Sequence, residues 1–149
     1  MIEVLESKTD NNILRNSLFA NTISFLSENS DVSYPQKVFE IGRVFYDDKN
    51  TETGIGESEK LCITLCYDGV SFTDIKQILD YIMRMFCTKY KIEEYETDYF
   101  VEGRSGKIIV ENNEIGNIGE VNPFVLRNNK IKMPAVSMEI ELSILNSSH

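Results

Sequence analysis

Residues Gln36–Asp48 read QKVFEIGRVFYDD, an unbroken run of β-branched and aromatic residues on both sides of a two-residue period. This is the pattern of a strand buried on both faces. One face carries Val38, Glu40, Gly42, Val44 and Tyr46, and the other Phe39, Ile41, Arg43 and Phe45. A carboxylate in such a strand needs a partner or a cleft, because an unpaired buried carboxylate costs several kcal/mol or takes up a proton. Glu40 is therefore either a hydrogen-bonded wall residue or a functional one.

Working outward, Pro35 sets the strand's start, and a helical spacing of Leu18, Phe19, Ile23 and Leu26 predicts a helix over Asn16–Asn29 upstream. Ile2–Leu5 alternates weakly and reads as a short strand. Downstream, KNTETGIGESEK is polar and contains glycine, and reads as a mobile surface loop before a strand over Leu61–Tyr67. Its lone Gly54-x-Gly56 lacks the following helix and Lys-Ser/Thr that a phosphate loop requires.

Ser71 with Asp74 resembles a capping box opening a helix over Phe72–Cys87, whose apolar stripe is Ile75, Ile78, Leu79, Ile82, Met85 and Phe86. Asp80 and Arg84 are spaced for a helix-surface ion pair. KIEEYE reads as a short exposed strand and TDYFVEGRSG as a loop, where Arg104 is placed either to anchor the loop to a carboxylate or to face solvent. Lys107–Val110 and Glu114–Val121 flank Glu111-Asn112-Asn113, a hairpin signal. Asn122-Pro123 caps and opens a short helix. Ala135–Leu142 alternates Val136, Met138, Ile140 and Leu142 against Ser137, Glu139, Glu141 and Ser143, which predicts a strand with one buried face. The sum is an α+β domain: an antiparallel sheet flanked by helices.

The 149 residues, 42% hydrophobic and 26% charged, suit one globular domain with a sizeable core. No apolar run reaches the roughly 20 residues of a membrane span, and no basic, apolar leader opens the chain. The expectation is a cytoplasmic protein without membrane contact. A formal charge of -9 repels polyanions as a whole.

The three cysteines read as free thiols in a reducing compartment. On a strand, Cys62 and Cys66 stand about 13 Å apart and cannot share an ion. The single histidine, His149, lies at the last position, which leaves Ser-His, Cys-His and His-zinc schemes without their base or ligand. The reading assigns no catalytic residue and no metal ligand.

The series LRNSL, YPQKVFEIGRVF, ETGIGESEKL, SFTDIKQIL, FVEGRSGKI and IGEVNPFVL resembles the C-terminal core-like domain of the phenylalanyl-tRNA synthetase β subunit, in its archaeal and eukaryotic form. The resemblance runs from about residue 4 to residue 145. It implies a class II synthetase-like fold that is not itself catalytic. It also implies membership of an assembly of two α and two β subunits that joins phenylalanine to its tRNA with ATP and magnesium. The partners implied are the α subunit, which holds the active site, and tRNA(Phe) through the assembly. No cofactor is expected in this chain.

Class II activity needs an arginine in a Phe-Arg-x-Glu/Asp run, whose guanidinium steadies the α-phosphate. The matching run here is Phe45-Tyr46-Asp47-Asp48, with tyrosine in the arginine's place. A second arginine normally follows in a Gly-x-Gly-x-x-Arg segment, and AVSMEIELSIL has neither that glycine pattern nor an arginine. Glu40, Gly42 and Tyr46 would then mark a relic of the cleft. Leu14, Arg15 and the Glu40-Ile41-Gly42 run are expected to determine fold and assembly. The family usually has His-Pro where Asn122-Pro123 stands here. The family domain also begins earlier, with a segment like class II motif 1, so the chain reads as a fragment of a longer β subunit, able to self-associate through an unpaired sheet edge.

Three functions stay open on the residues: this assembly domain, a free-standing module that binds an amino acid through Glu40 or a nucleotide on Tyr46, and an unrelated α+β interaction domain.

Overall fold

The computed structural model describes residues 17–147 and the two short strands Ile2–Glu3 (β1) and Ile13–Leu14 (β2), which pair with each other. The expected strand over Ile2–Leu5 is described only at β1, and the side chains of Leu14 and Arg15 lie outside the described residues.

Helix α1 (Phe19–Glu28) leads into β3 (Gln36–Asp47), which pairs along all twelve residues with β4 (Ile55–Cys66). Helix α2 (Phe72–Met85) follows, then β5 (Lys91–Glu94), β6 (Phe100–Val110), β7 (Asn113–Val121), helix α3 (Pro123–Asn128), β8 (Ala135–Glu141) and helix α4 (Leu142–Ser147). Six strands form one antiparallel sheet in the order β3-β4-β8-β7-β6-β5. The last long strand in sequence thus lies between β4 and β7, near the centre.

Two layers cover the sheet. On one face α2 and Leu145 of α4 close a core of Leu65, Ile108, Ile118, Val136, Met138 and Ile140. On the other, α1 and α3 bury Ile23, Leu26, Cys66, Val121, Leu126 and Ala135. Ser71 N–H donates to Asp74 Oδ2 at 2.9 Å, as the capping-box reading expects. Asn122 Oδ1 accepts from Phe124 N–H at 2.9 Å at the start of α3. Glu111 and Asn112 take the positive-φ positions of the β6–β7 turn.

The structure corrects several expectations. β3 is an edge strand rather than a buried one: Phe39 is 71% and Ile41 56% exposed. Its period of two is genuine, but only the Val38–Val44 side meets the core. β4 begins at Ile55, so most of GIGESEK is strand and only the Asp48–Gly54 turn links the hairpin; the charges of Glu57 and Glu59 face water beside an edge. FVEGRSG is likewise the start of β6, with a register shift between Phe100 and Ser105.

β8 is buried on both faces, with Ser137 and Glu139 inside. On α2 the buried positions are Ile75, Leu79 and Met83, while Met85 is exposed. Asp80 pairs with Lys76 at 3.6 Å and accepts from Tyr90 Oη, rather than pairing with Arg84, whose Nε reaches only the Asp80 carbonyl. Burial, then the Asp80 hydrogen bond, raise the Tyr90 pKa.

Candidate functional site

The face expected to carry Glu40, Gly42 and Tyr46 together is the α1-side face of β3, β4 and β8. Strand parity places Glu40, Gly42, Val44 and Tyr46 on this face, alongside Ser58, Lys60, Cys62 and Thr64 of β4 and Ser137 and Glu139 of β8.

Its centre is Glu139, only 3% exposed. Helix α1 has no acidic residue in its first turn; Ser17 Oγ accepts locally from Phe19 N–H at 3.1 Å, while Leu18 N–H needs an outside acceptor. Glu139 supplies it from across the chain: Oε2 accepts from Leu18 N–H at 2.7 Å, Phe19 N–H at 3.2 Å and Ser17 Oγ at 2.9 Å. Lys60 Nζ donates to Oε1 at 3.3 Å. A carboxylate at a helix N-terminus is favoured by the macrodipole and by charge-assisted hydrogen bonds.

Deeper under α1, the hydroxyls of Thr22 and Thr64 and of Thr64 and Ser137 are each 2.8 Å apart, so the helix is joined to the sheet by a chain of short polar contacts. The side chains beneath Thr22 of α1, Cys62, Thr64 and Ser137, are small, which lets the helix sit close.

The three expected cleft residues do not converge. Glu40 is half-buried at the α1 edge, where Asn21 Nδ2 donates to its Oε1 at 3.2 Å, in a groove of about 370 Å³ lined also by Phe25, Lys37 and Phe39. Tyr46 lies at the far end of β3 with its ring over Gly56, where any Cβ would collide with it. It borders a separate hollow of about 330 Å³ with Val44, Ser58, Lys60 and Glu141. Gly42 sits between them, opposite Lys60. Ile41 points to the opposite, open face. Arg104, on β6, pairs with Glu120 at 3.1 Å while remaining largely exposed.

The donor set does not fit a nucleoside triphosphate. Among the described residues, the cation bordering the Tyr46 hollow is Lys60, already held by Glu139, and Glu141 adds a further carboxylate. The described residues also hold no group of three metal-ligating side chains.

Cys62 and Cys66 are free, and burial pushes both thiols up to about 11, with the Glu139 charge adding to the rise at Cys62. Each binds its proton more tightly folded than unfolded. The stability this confers is complete below the ordinary value of 9.0 and is lost as the pH climbs to about 11. Denaturant midpoints are expected to fall between these pH values, and replacing both cysteines with alanine should flatten the decline; an equally steep decline in that variant would refute the assignment.

Sequence reasoning missed Glu139. Its alternation within β8 matches a solvent face, and its hydrogen-bond partners lie 120 residues away, so no local pattern could have shown it.

The sequence matches the family described as the phenylalanyl tRNA synthetase beta chain CLM domain over residues 6–142. It is 42% identical over 132 residues to the phenylalanine–tRNA ligase beta subunit of Thermococcus kodakarensis, covering 89% of this chain and 23% of that one. Against the beta subunit of Pyrococcus horikoshii it is 43% identical over 129 residues, 87% of this chain and 23% of the relative. With that of Saccharolobus islandicus it shares 36% over 143 residues, 95% of this chain and 26% of the relative. The chain thus spans about a quarter of the length of these relatives.

The fold is similar to a solved pyrrolysyl-tRNA synthetase from Desulfitobacterium hafniense, with a TM-score of 0.75 over 97% of this chain and 51% of that one, at 16% identity. The α+β architecture with its six-stranded antiparallel sheet is therefore one that a synthetase also uses. On the match across nearly its whole length, the chain belongs to the phenylalanyl-tRNA synthetase β chain CLM domain family.

Proposed function

We propose that this chain is a non-catalytic, class II-like core of an archaeal-type phenylalanine–tRNA ligase β subunit, and that its work is structural: to hold an α subunit in the assembled enzyme. ATP and magnesium would serve that assembly at the α subunit, and tRNA(Phe) would meet the chain only through the assembly. The cytoplasm is its place of action under this reading.

The observation that carries the proposal is the use made of the α1-side face. Helix α1 is seated on it through Glu139, and Lys60 is spent on that same carboxylate. On the resemblance, Tyr46 would stand where a phosphate-binding arginine is needed; its ring lies over Gly56. A phosphate entering here would meet Glu141 and would have to take Lys60 from a partner that is almost fully buried.

The test is co-expression with an archaeal phenylalanine–tRNA ligase α subunit, followed by affinity capture of the tagged α chain. This chain is expected to co-purify with it. Failure to co-purify, together with a thermal shift of the isolated chain by phenylalanine or ATP that disappears in Glu40→Gln, would replace the assembly role with a ligand-binding one.

A further inference from the structure

A hollow of about 600 Å³ opens between the end of α2 and the start of β5, lined by Asp80, Met83, Arg84, Thr88, Lys89 and Tyr90. A second, of about 310 Å³, shares Lys89 and Tyr90 with it and adds Lys91. Both lie at the β5 edge of the sheet, across its full width from β3, beside which β1 lies. One short stretch of chain, residues 80–90, makes the larger wall, so the end of α2 sets its shape. There the N–H groups of Phe86, Cys87 and Thr88 donate to the carbonyls of Ile82, Arg84 and Met83 at 3.1, 3.1 and 2.8 Å, which takes up three of the last carbonyls that would repel an anion.

Asp80 is the one carboxylate in this wall, and it is already committed: it pairs with Lys76 at 3.6 Å and accepts from Tyr90 Oη. Arg84 reaches only the Asp80 carbonyl, through Nε at 3.4 Å, and no ion pair among the described residues includes Arg84 or Lys89. A cation in the last turn is favoured by the helix dipole whatever surrounds it, but Lys89 lies beyond the helix. With Lys76 the wall carries three cations against one carboxylate, in a chain of formal charge -9.

Two cations with charge to spare on one concave wall match a dianion, and a guanidinium fork beside an ammonium suits phosphate. Met83 and the ring of Tyr90, which its hydroxyl fixes to Asp80, offer apolar surface for whatever body carries that phosphate. We propose that this hollow binds a small organic phosphate, its phosphoryl group held between Arg84 and Lys89 and its planar or apolar body against Met83 and Tyr90. The site lies on the α2 side of the sheet, away from the face that seats α1, and does not rest on the assembly role.

Phenyl phosphate titrated into the isotope-labelled chain, followed by nuclear magnetic resonance, tests the proposal. The backbone amide signals of Thr88, Lys89 and Tyr90 are expected to shift saturably. Inorganic phosphate should move the same signals but bind about tenfold more weakly, for want of the ring. Arg84→Gln and Lys89→Gln, both at exposed positions, should each weaken phenyl phosphate about tenfold with unchanged circular dichroism. Lys132→Gln, an exposed cation between α3 and β8, should leave the affinity as it is. Three results would overturn the proposal: no saturable shift up to the solubility limit of phenyl phosphate, a loss in Lys132→Gln equal to that in Arg84→Gln, or equal affinity for phenyl phosphate and inorganic phosphate.

Discussion

Glu139→Ala is expected to destabilise the domain by about 3 kcal/mol, a drop in melting temperature of about 10 °C for a chain of this size. The truncation leaves Leu18 N–H and Ser17 Oγ without their carboxylate acceptor, leaves Phe19 N–H with Ser17 Oγ alone, and leaves Lys60, which is mostly buried, without its counter-charge. Loss of one partner from a buried charged network costs more than the network itself contributes, because what remains must be desolvated unpaired. Glu139→Gln keeps an acceptor oxygen for Leu18 but gives up the charge, so about half of the loss should return. Thermal melts of the two variants check this. Equal stability of Glu139→Ala and wild type would mean that α1 is held by its apolar side chains and the Thr22 hydroxyl contact without the carboxylate.

The second large effect is expected at Gly116, where β7 passes the backbone of β8. A Cβ there would fall inside the contact distance of the Glu139 carbonyl oxygen and 2.9 Å from the Ile140 Cα. The obstruction is main chain in the middle of a six-stranded sheet, so it cannot rotate aside as a side-chain tip would. Gly116→Val should cost on the order of 3 kcal/mol or more and lower the yield of folded protein. Because the strand it displaces carries Glu139, Gly116→Val and Glu139→Ala should be less than additive in a double-mutant cycle. Full additivity would show that β8 absorbs the intrusion without moving the carboxylate.

Much of the fold was legible because the periodic segments are strongly periodic. The helices starting near Leu18 and at Phe72, the Glu111-Asn112 turn and the Asn122 cap all emerge from local chemistry that tertiary structure did not override. The differences in the sheet share one cause. The position of a strand in a sheet is not a local property. A run such as VFEIGRVF has the same alternation whether neighbours flank it or one edge is left open, so β3 read as central although it lies at the margin. Conversely, Ser137 and Glu139 read as solvent-facing because polar residues usually are, yet both are buried under α1 with hydrogen-bonding partners. The polar, glycine-containing starts of β4 and β6 resemble loops for the same reason: near an edge, a strand tolerates water-facing charges.

The candidate site followed the same division. Residue identity was enough to place Tyr46, rather than an arginine, on the face it shares with Glu40 and Gly42. It was not enough to reveal that the face is bridged by a helix anchored on Glu139, which separates the Glu40 groove from the Tyr46 hollow. The proposed non-catalytic role therefore rests on the anchoring geometry more than on the single aromatic replacement: the mostly buried Lys60 already has a partner, and Thr64, Ser137 and Glu139 point into the helix.

Phenylalanine-dependent exchange of pyrophosphate into ATP, measured on the purified chain alone, addresses this most directly. The account predicts no exchange above a no-protein control, in wild type and in Tyr46→Arg alike, since the tyrosine's replacement alone leaves Lys60 bound to Glu139. Exchange that depends on phenylalanine and is abolished by Lys60→Ala would contradict it.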